Sequence, residues 1–175
     1  TLFPYTTLFR SLEYTGALKV LQMIFSYEYL WIQIRVKGGA YGCMCSFSDQ
    51  GDSMFVTYRD PNLSESYKVY DEAADYVADF DADDRDMKKY IIGTIGSMDM
   101  PMEAVDMGAR SFHAYFLGKT EADLQKVRDQ VLSCTQEDIR ALAPIVKAVV
   151  EAGNRCCIGN EEKIDQNKEY FDEVK

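Results

Sequence analysis

The chain has 175 residues, 47% of them apolar and 27% charged, which is the composition of a globular protein with a sizeable core rather than of a disordered chain. A net charge of −10 disfavours DNA and RNA, which need clustered Lys and Arg, but leaves a cationic peptide electrostatically acceptable. No uncharged apolar run is long enough to span a bilayer, and the single histidine, His113, excludes a two-histidine metal site or an H-E-x-x-H zinc helix within the chain.

The first residues, Thr1 to Ser11, do not read like the start of a protein. They match the translation of a widely used short-read sequencing adapter. A signal peptide would have a basic start and a longer apolar core. We set 1–11 apart as a foreign segment and expect the native sequence to run from 12 to 175, starting inside a longer protein.

Over 15–34, apolar side chains including Leu18, Leu21, Phe25, Leu30 and Ile32 recur at helical spacing, and Gly38-Gly39 supplies a stop. Residues 40–48 read as a strand with Tyr41, Cys43, Cys45 and Phe47 on one face. A turn at Asp49-Gln50-Gly51-Asp52 leads to a second strand, Met54 to Arg59, making a hairpin. Asp60-Pro61-Asn62 ends it, and Asn62 or Ser64 can cap a helix over 64–80. Helices are expected from Asp83 to Gly96, from Pro101 to Leu117, after Thr120 and after Thr135. The last two carry capping-box patterns with Asp123 and Asp138. Pro144 bends or breaks the following stretch. A short strand over 155–159 and a polar helix from Asn160 complete the chain. The fold class is α+β, a small, mostly antiparallel sheet covered by several helices.

The chemistry-bearing segment is Ile34 to Gly42. Two adjacent glycines permit unusual backbone conformations and close approach of another chain. They are flanked by Arg35, with five fixed N–H donors, and Tyr41, with one O–H. Donors converging on a carbonyl oxygen suit acyl-transfer chemistry, where negative charge develops. On composition alone, a basic helix end followed by a glycine stop and a strand is the better explanation of the segment. It is not a phosphate loop.

The run Tyr29-Leu30-Trp31-Ile32-Gln33-Ile34-Arg35-Val36-Lys37-Gly38-Gly39-Ala40-Tyr41-Gly42, with Tyr58-Arg59-Asp60-Pro61-Asn62-Leu63 downstream, resembles the presequence-protease branch of the pitrilysin/insulinase zinc metallopeptidases. The resemblance covers 12–175 and places this chain in the C-terminal domain of that family, a metallopeptidase-half domain, here N-terminally truncated. It implies a clam-shell enzyme that hydrolyses unstructured peptides. Zinc and its H-x-x-E-H helix belong to the N-terminal half of the parent chain, which is this domain's partner, and this chain holds no cofactor. Arg35 and Tyr41 match the arginine and tyrosine that reach the scissile bond as catalytic and substrate-binding residues, with Gly38 and Gly39 beside the bound peptide. Alone, the chain is expected to be inactive. The implied location is the cytoplasm in a bacterium, or the mitochondrial matrix or plastid in a eukaryote. The alternative is a non-catalytic structural subunit or binding domain of the same fold; it has no need of the Arg35 and Tyr41 pair.

The remaining candidates read as structural. Cys43, Cys45, Cys134, Cys156 and Cys157 are odd in number and lack C-x-x-C spacing, so we expect buried free thiols rather than a four-cysteine zinc site. His113 reads as a packed or surface residue. Asp71 to Asp86 reads as a solvated acidic face with a helix cap, the alternative being attraction of basic peptides. Met98, Met100, Met102 and Met107 read as core filler. Asp49 and Asp52 read as turn residues rather than a calcium loop.

Overall fold

The computed structural model describes residues 13–174, so the segment 1–11 lies outside the described residues. A central helix organises everything else. It starts as α1, Ala17–Ile24, and continues through wider π-helical turns at Phe25–Tyr29 and Trp31–Lys37. Leu18, Val20, Leu21, Ile24, Phe25, Leu30 and Ile34 are all buried, so this helix is the axis of the core. The helix widens where Ser26 Oγ donates to the Gln22 carbonyl at 2.7 Å, a back-bond that competes with the regular ladder. Each π turn accommodates an extra residue and rotates the side chains beyond it around the helix axis. That rotation corrects the simple periodic reading: Ile32, expected on the apolar face, is 38% exposed.

The hairpin forms as expected, with slightly shorter strands. β1, Gly42–Phe47, pairs antiparallel with β2, Ser53–Tyr58, from Gly42 opposite Tyr58 to Phe47 opposite Ser53. The alternation holds, since Cys45 and Phe47 are buried against the central helix. The turn closes through a hydrogen bond from the Ser48 N–H to the Asp52 carbonyl at 2.7 Å. Phe25, Phe47 and Phe55 meet beneath it, Phe25 and Phe55 at 5.8 Å between ring centroids.

The expected helix over 64–80 is broken at Glu72 into α2, Leu63–Asp71, and α3, Ala73–Ala78. Tyr29 ties both to the core: its ring stacks on Tyr76 at 4.4 Å and its hydroxyl donates to the Val69 carbonyl at 2.7 Å. α4, Asp84–Met98, starts where the Asp83 carboxylate accepts from the N–H groups of Arg85 and Asp86. Both capping boxes form, Thr120 with Asp123 ahead of α6, Glu121–Leu132, and Thr135 with Asp138 ahead of α7, Gln136–Arg140. α1 packs on α4, α6 and α7 as well as on β1. Its entry is tight: Gly16 N–H donates to Gln130 Oε1 at 2.9 Å, and a Cβ at Gly16 would lie 2.5 Å from the Val127 carbonyl oxygen.

Three expectations need correction. α5, Ala104–Phe116, begins after Pro101 rather than at it, and none of its residues is buried. Met100, Met102 and Met107 are therefore exposed rather than core filler, because nothing among the described residues covers that helix. The helix expected after Thr135 is broken ahead of Pro144, as expected: α7 ends at Arg140 and α8, Ala143–Glu151, starts three residues later with Pro144 in its first turn, where its missing N–H costs nothing. Residues 155–159 form no strand. Ile158 is fully exposed, and Arg155 is held sideways, paired with Asp71 at 3.1 Å and stacked on Tyr67 and Tyr170. β-propensity without a strand alongside leaves the segment irregular. The chain then closes with α9, Glu161–Asp165, capped by Asn160, and a 3-10 turn at Lys168–Tyr170.

Candidate functional site

The hairpin and the central helix meet at the Gly38-Gly39 bend. The helix unwinds there through hydrogen bonds of increasing span: Gly39 N–H to the Arg35 carbonyl at 3.1 Å, and Ala40 N–H to the Ile34 carbonyl at 3.2 Å. Gly39 sits at φ +77°, the left-handed region that L side chains rarely adopt. At Gly38 the constraint is space, since a Cβ would lie 2.6 Å from the Ile34 carbonyl oxygen. The Asp60-Pro61-Asn62 turn clasps the bend from the other side. Asn62 Nδ2 donates to the Gly38 carbonyl at 2.6 Å, while Asp60 accepts from the Asn62 N–H at 2.9 Å and from the Ser66 hydroxyl at 2.5 Å. Asn62 thus serves the bend instead of capping α2 with its side chain, the role its position in the sequence suggests.

Arg35 and Tyr41 are held together across this bend. Arg35 is half-buried in the last π turn. Its guanidinium lies 4.0 Å from the Trp31 ring centroid, one helical turn earlier, and its Nε donates to the Tyr41 carbonyl at 3.0 Å. Stacking and the Nε bond fix the guanidinium plane and leave the two terminal nitrogens without a hydrogen-bond partner among the described residues. Tyr41 immediately precedes β1. Its N–H donates to the Arg59 carbonyl at 3.3 Å, so its backbone belongs to the end of the ladder while its side chain is 66% exposed. The Tyr41 ring meets Tyr58 edge-on at 5.8 Å between centroids, and the Arg59 guanidinium lies 5.7 Å from one ring and 5.3 Å from the other.

Chemically, the arrangement offers cationic N–H donors fixed beside the Tyr41 main chain and a phenolic O–H on an exposed ring, next to a glycine bend. It suits binding of a peptide backbone or of an oxygen that gains negative charge. A thiol nucleophile is poorly supported. Cys43 follows Tyr41 closely, but burial raises its pKa above the ordinary thiol value, the Arg35 charge acting in the opposite sense. Two surface depressions, one lined by Glu161, Glu162, Asp165 and Gln166, the other by Asp84, Arg85, Lys88, Lys89 and Ile92, lie apart from Arg35 and Tyr41.

The structure places Arg35, Gly38, Gly39 and Tyr41 together, with Arg35 bonded to the Tyr41 main-chain carbonyl rather than to its side chain. It adds Trp31, Tyr58, Arg59 and Asn62. Trp31 was readable from its spacing of four from Arg35 on a helix. Arg59 and Asn62 carry no local signal, because their roles depend on the hairpin bringing residue 59 beside residue 41. His113 is exposed on α5. Cys45 and Cys134 are buried free thiols, Cys43 and Cys157 are half-buried, and Cys156 is exposed, so the expectation of buried thiols holds for two of the five. Among the described residues no group of three or more His, Cys, Asp and Glu is placed to hold a metal ion.

Residues 6–160 match the family model described as PreP C-terminal domain. The chain is 41% identical to "Protein HypA" of Clostridium perfringens over 93% of its length. It is 33% identical to "Presequence protease 1, chloroplastic/mitochondrial" of Arabidopsis thaliana, again over 93%, and 34% identical to "Presequence protease, mitochondrial" of Aspergillus fumigatus over 84%. It spans only 17%, 16% and 14% of those three proteins.

Proposed function

The chain belongs to the presequence-protease C-terminal domain family, and from that premise we propose that it is the substrate-chamber half of a zinc-dependent oligopeptidase acting on unstructured, presequence-like peptides. The supporting observation is the linkage of Arg35 to Tyr41 at 3.0 Å across the glycine bend, with the tyrosine ring exposed. In this reading the terminal nitrogens of Arg35 hold the peptide carbonyl flanking the scissile bond. The Tyr41 hydroxyl donates to the oxygen that becomes negative in the transition state. Gly38 and Gly39 let the peptide backbone pass close to the bend.

In this reading the zinc is held by the N-terminal half of the parent, and the chain alone has no activity. When bound there, zinc supplies an activated water for hydrolysis. The acidic surface, net charge −10, would draw basic peptides toward the chamber. The parent would work in the cytoplasm of a bacterium or, in a eukaryote, in the mitochondrial matrix or plastid; two eukaryotic relatives are named as mitochondrial and as chloroplastic/mitochondrial.

The test is steady-state hydrolysis of a quenched-fluorescent unstructured peptide by the full-length parent. Tyr41→Phe removes only the O–H donor, and kcat should fall by about 10–1000-fold with the fold intact. Arg35→Lys should also lose activity, because a point charge cannot reproduce the planar fork. Near-normal turnover and stability in both variants would leave the pair as a helix-end feature and favour the non-catalytic alternative.

A further inference from the structure

Arg59 is the only non-glycine residue among the described ones with positive φ, +49°. An arginine gains nothing from that conformation, and a strained residue persists only where its surroundings hold it. Two features hold this one. Its carbonyl accepts the Tyr41 N–H at 3.3 Å, and its guanidinium lies near the rings of Tyr41 and Tyr58 together. Gly39, two residues before Tyr41, is also left-handed, so a left-handed residue stands on each side of the open end of the hairpin, Gly39 ahead of β1 and Arg59 after β2.

Exposure makes the arrangement notable. Tyr41 is 66% exposed and Tyr58 51%, so neither ring is fixed by burial. Arg59 has no carboxylate partner within ion-pair distance among the described residues; Asp60, next to it, is engaged by Asn62 and Ser66. The cation therefore faces the aromatic pair. We propose that Arg59 is a positioning residue that fixes the rotamer of Tyr41, through cation–π contact on both rings and through its strained backbone, so that the Tyr41 hydroxyl is aimed before substrate arrives. Arg59 acts through Tyr41 and needs no contact with the peptide. The inference rests on the catalytic reading of Tyr41 given above.

The discriminating variant is Arg59→Gly, because glycine accepts φ +49° without strain and removes only the side chain. In the full-length parent, with a quenched-fluorescent unstructured peptide, Arg59→Gly should lower kcat by about 3–30-fold with KM changed less than about 2-fold, since orientation of a transition-state donor is lost. In a Tyr41→Ala background the same substitution should change kcat by less than about 1.5-fold, because the residue through which it acts is gone. Labelling the tyrosine rings for NMR should show the Tyr41 ring resonances of Arg59→Gly moving toward averaged, mobile values, while those of the buried Tyr29 stay in place. An equal loss in both backgrounds, or unchanged kcat and Tyr41 resonances in Arg59→Gly, would overturn the positioning role. A Tyr41→Ala parent with full activity would overturn the catalytic reading itself, and this inference with it.

Discussion

Gly38 and Gly39 are adjacent, yet the structure gives each a different reason to be glycine, and the difference can be measured. At Gly39 the nearest atom to an added Cβ is Pro61 Cγ at 3.8 Å, ordinary van der Waals contact, so space is not the difficulty. The difficulty is φ +77°. Gly39→Ala should then cost about 1–2 kcal/mol, the penalty for an L side chain in the left-handed region. Asn tolerates that region better, so Gly39→Asn should recover part of the loss. At Gly38 the dihedrals, φ −81° and ψ −17°, suit any residue. The Cβ would instead lie 2.6 Å from the Ile34 carbonyl oxygen, a backbone atom that cannot swing aside. Gly38→Ala should cost about 1–3 kcal/mol through overpacking, and Asn should be no better than Ala. Urea unfolding of the four variants, followed by far-UV circular dichroism, reads these differences. For a chain of this size 1 kcal/mol corresponds to about 2–4 °C in Tm. Equal losses for Ala and Asn at 39, or recovery by Asn at 38, would refute the assignment of strain to one glycine and crowding to the other.

Leu21 is fully buried on the central helix, and Leu21→Ala should cost about 2–5 kcal/mol in the same unfolding experiment; a loss under 1 kcal/mol would show that the helix is not the core axis. Thr120→Ala should cost about 0.5–2 kcal/mol by removing the side-chain half of the capping box, the Asp123 carboxylate still accepting from the N–H of residue 120, whereas Thr120→Ser should be near neutral. Stability should fall in alkali. Burial pushes the Cys45 and Cys134 thiols from 9.0 up to about 12, so between pH 9 and 12 the unfolded chain releases thiol protons that the folded chain keeps. The stabilisation is complete below pH 9 and is lost as pH rises through 12. Replacing both by Ala should make the fall in Tm over that range shallower, with Tyr14, Tyr67 and Tyr76, also raised by burial, supplying the remainder; an unchanged slope would contradict it.

The hairpin, the capping boxes and the start of α4 were legible because each depends on residues within a few positions: turn formers at 49–52, Thr120 with Asp123, and Asp83 before an acidic first turn. The linked Arg35 and Tyr41 were legible because only a bend of two glycines separates helix from strand. The illegible features depended on distant partners. The π turns arise from competition between Ser26 and the backbone within a packed helix, and they move Ile32 outward without changing its hydropathy. Residues 155–159 have strand-like composition, but Arg155 is drawn to Asp71, Tyr67 and Tyr170 instead. The roles of Arg59 and Asn62 exist only after β2 has paired with β1. At α5 Pro101 correctly signalled a nearby helix start, but Met100, Met102 and Met107, read as core filler, are exposed, since the hydropathy of a residue does not say what covers it.

The most direct test of the account is the structure of the full-length parent, arrested by removal of its general base and bound to an intact unstructured peptide. The account predicts the Tyr41 hydroxyl within about 2.7–3.1 Å of a carbonyl oxygen at the scissile bond, and a terminal nitrogen of Arg35 within the same range of that or the adjacent carbonyl. A peptide bound for cleavage with no atom within hydrogen-bond reach of Tyr41 or Arg35 would contradict it.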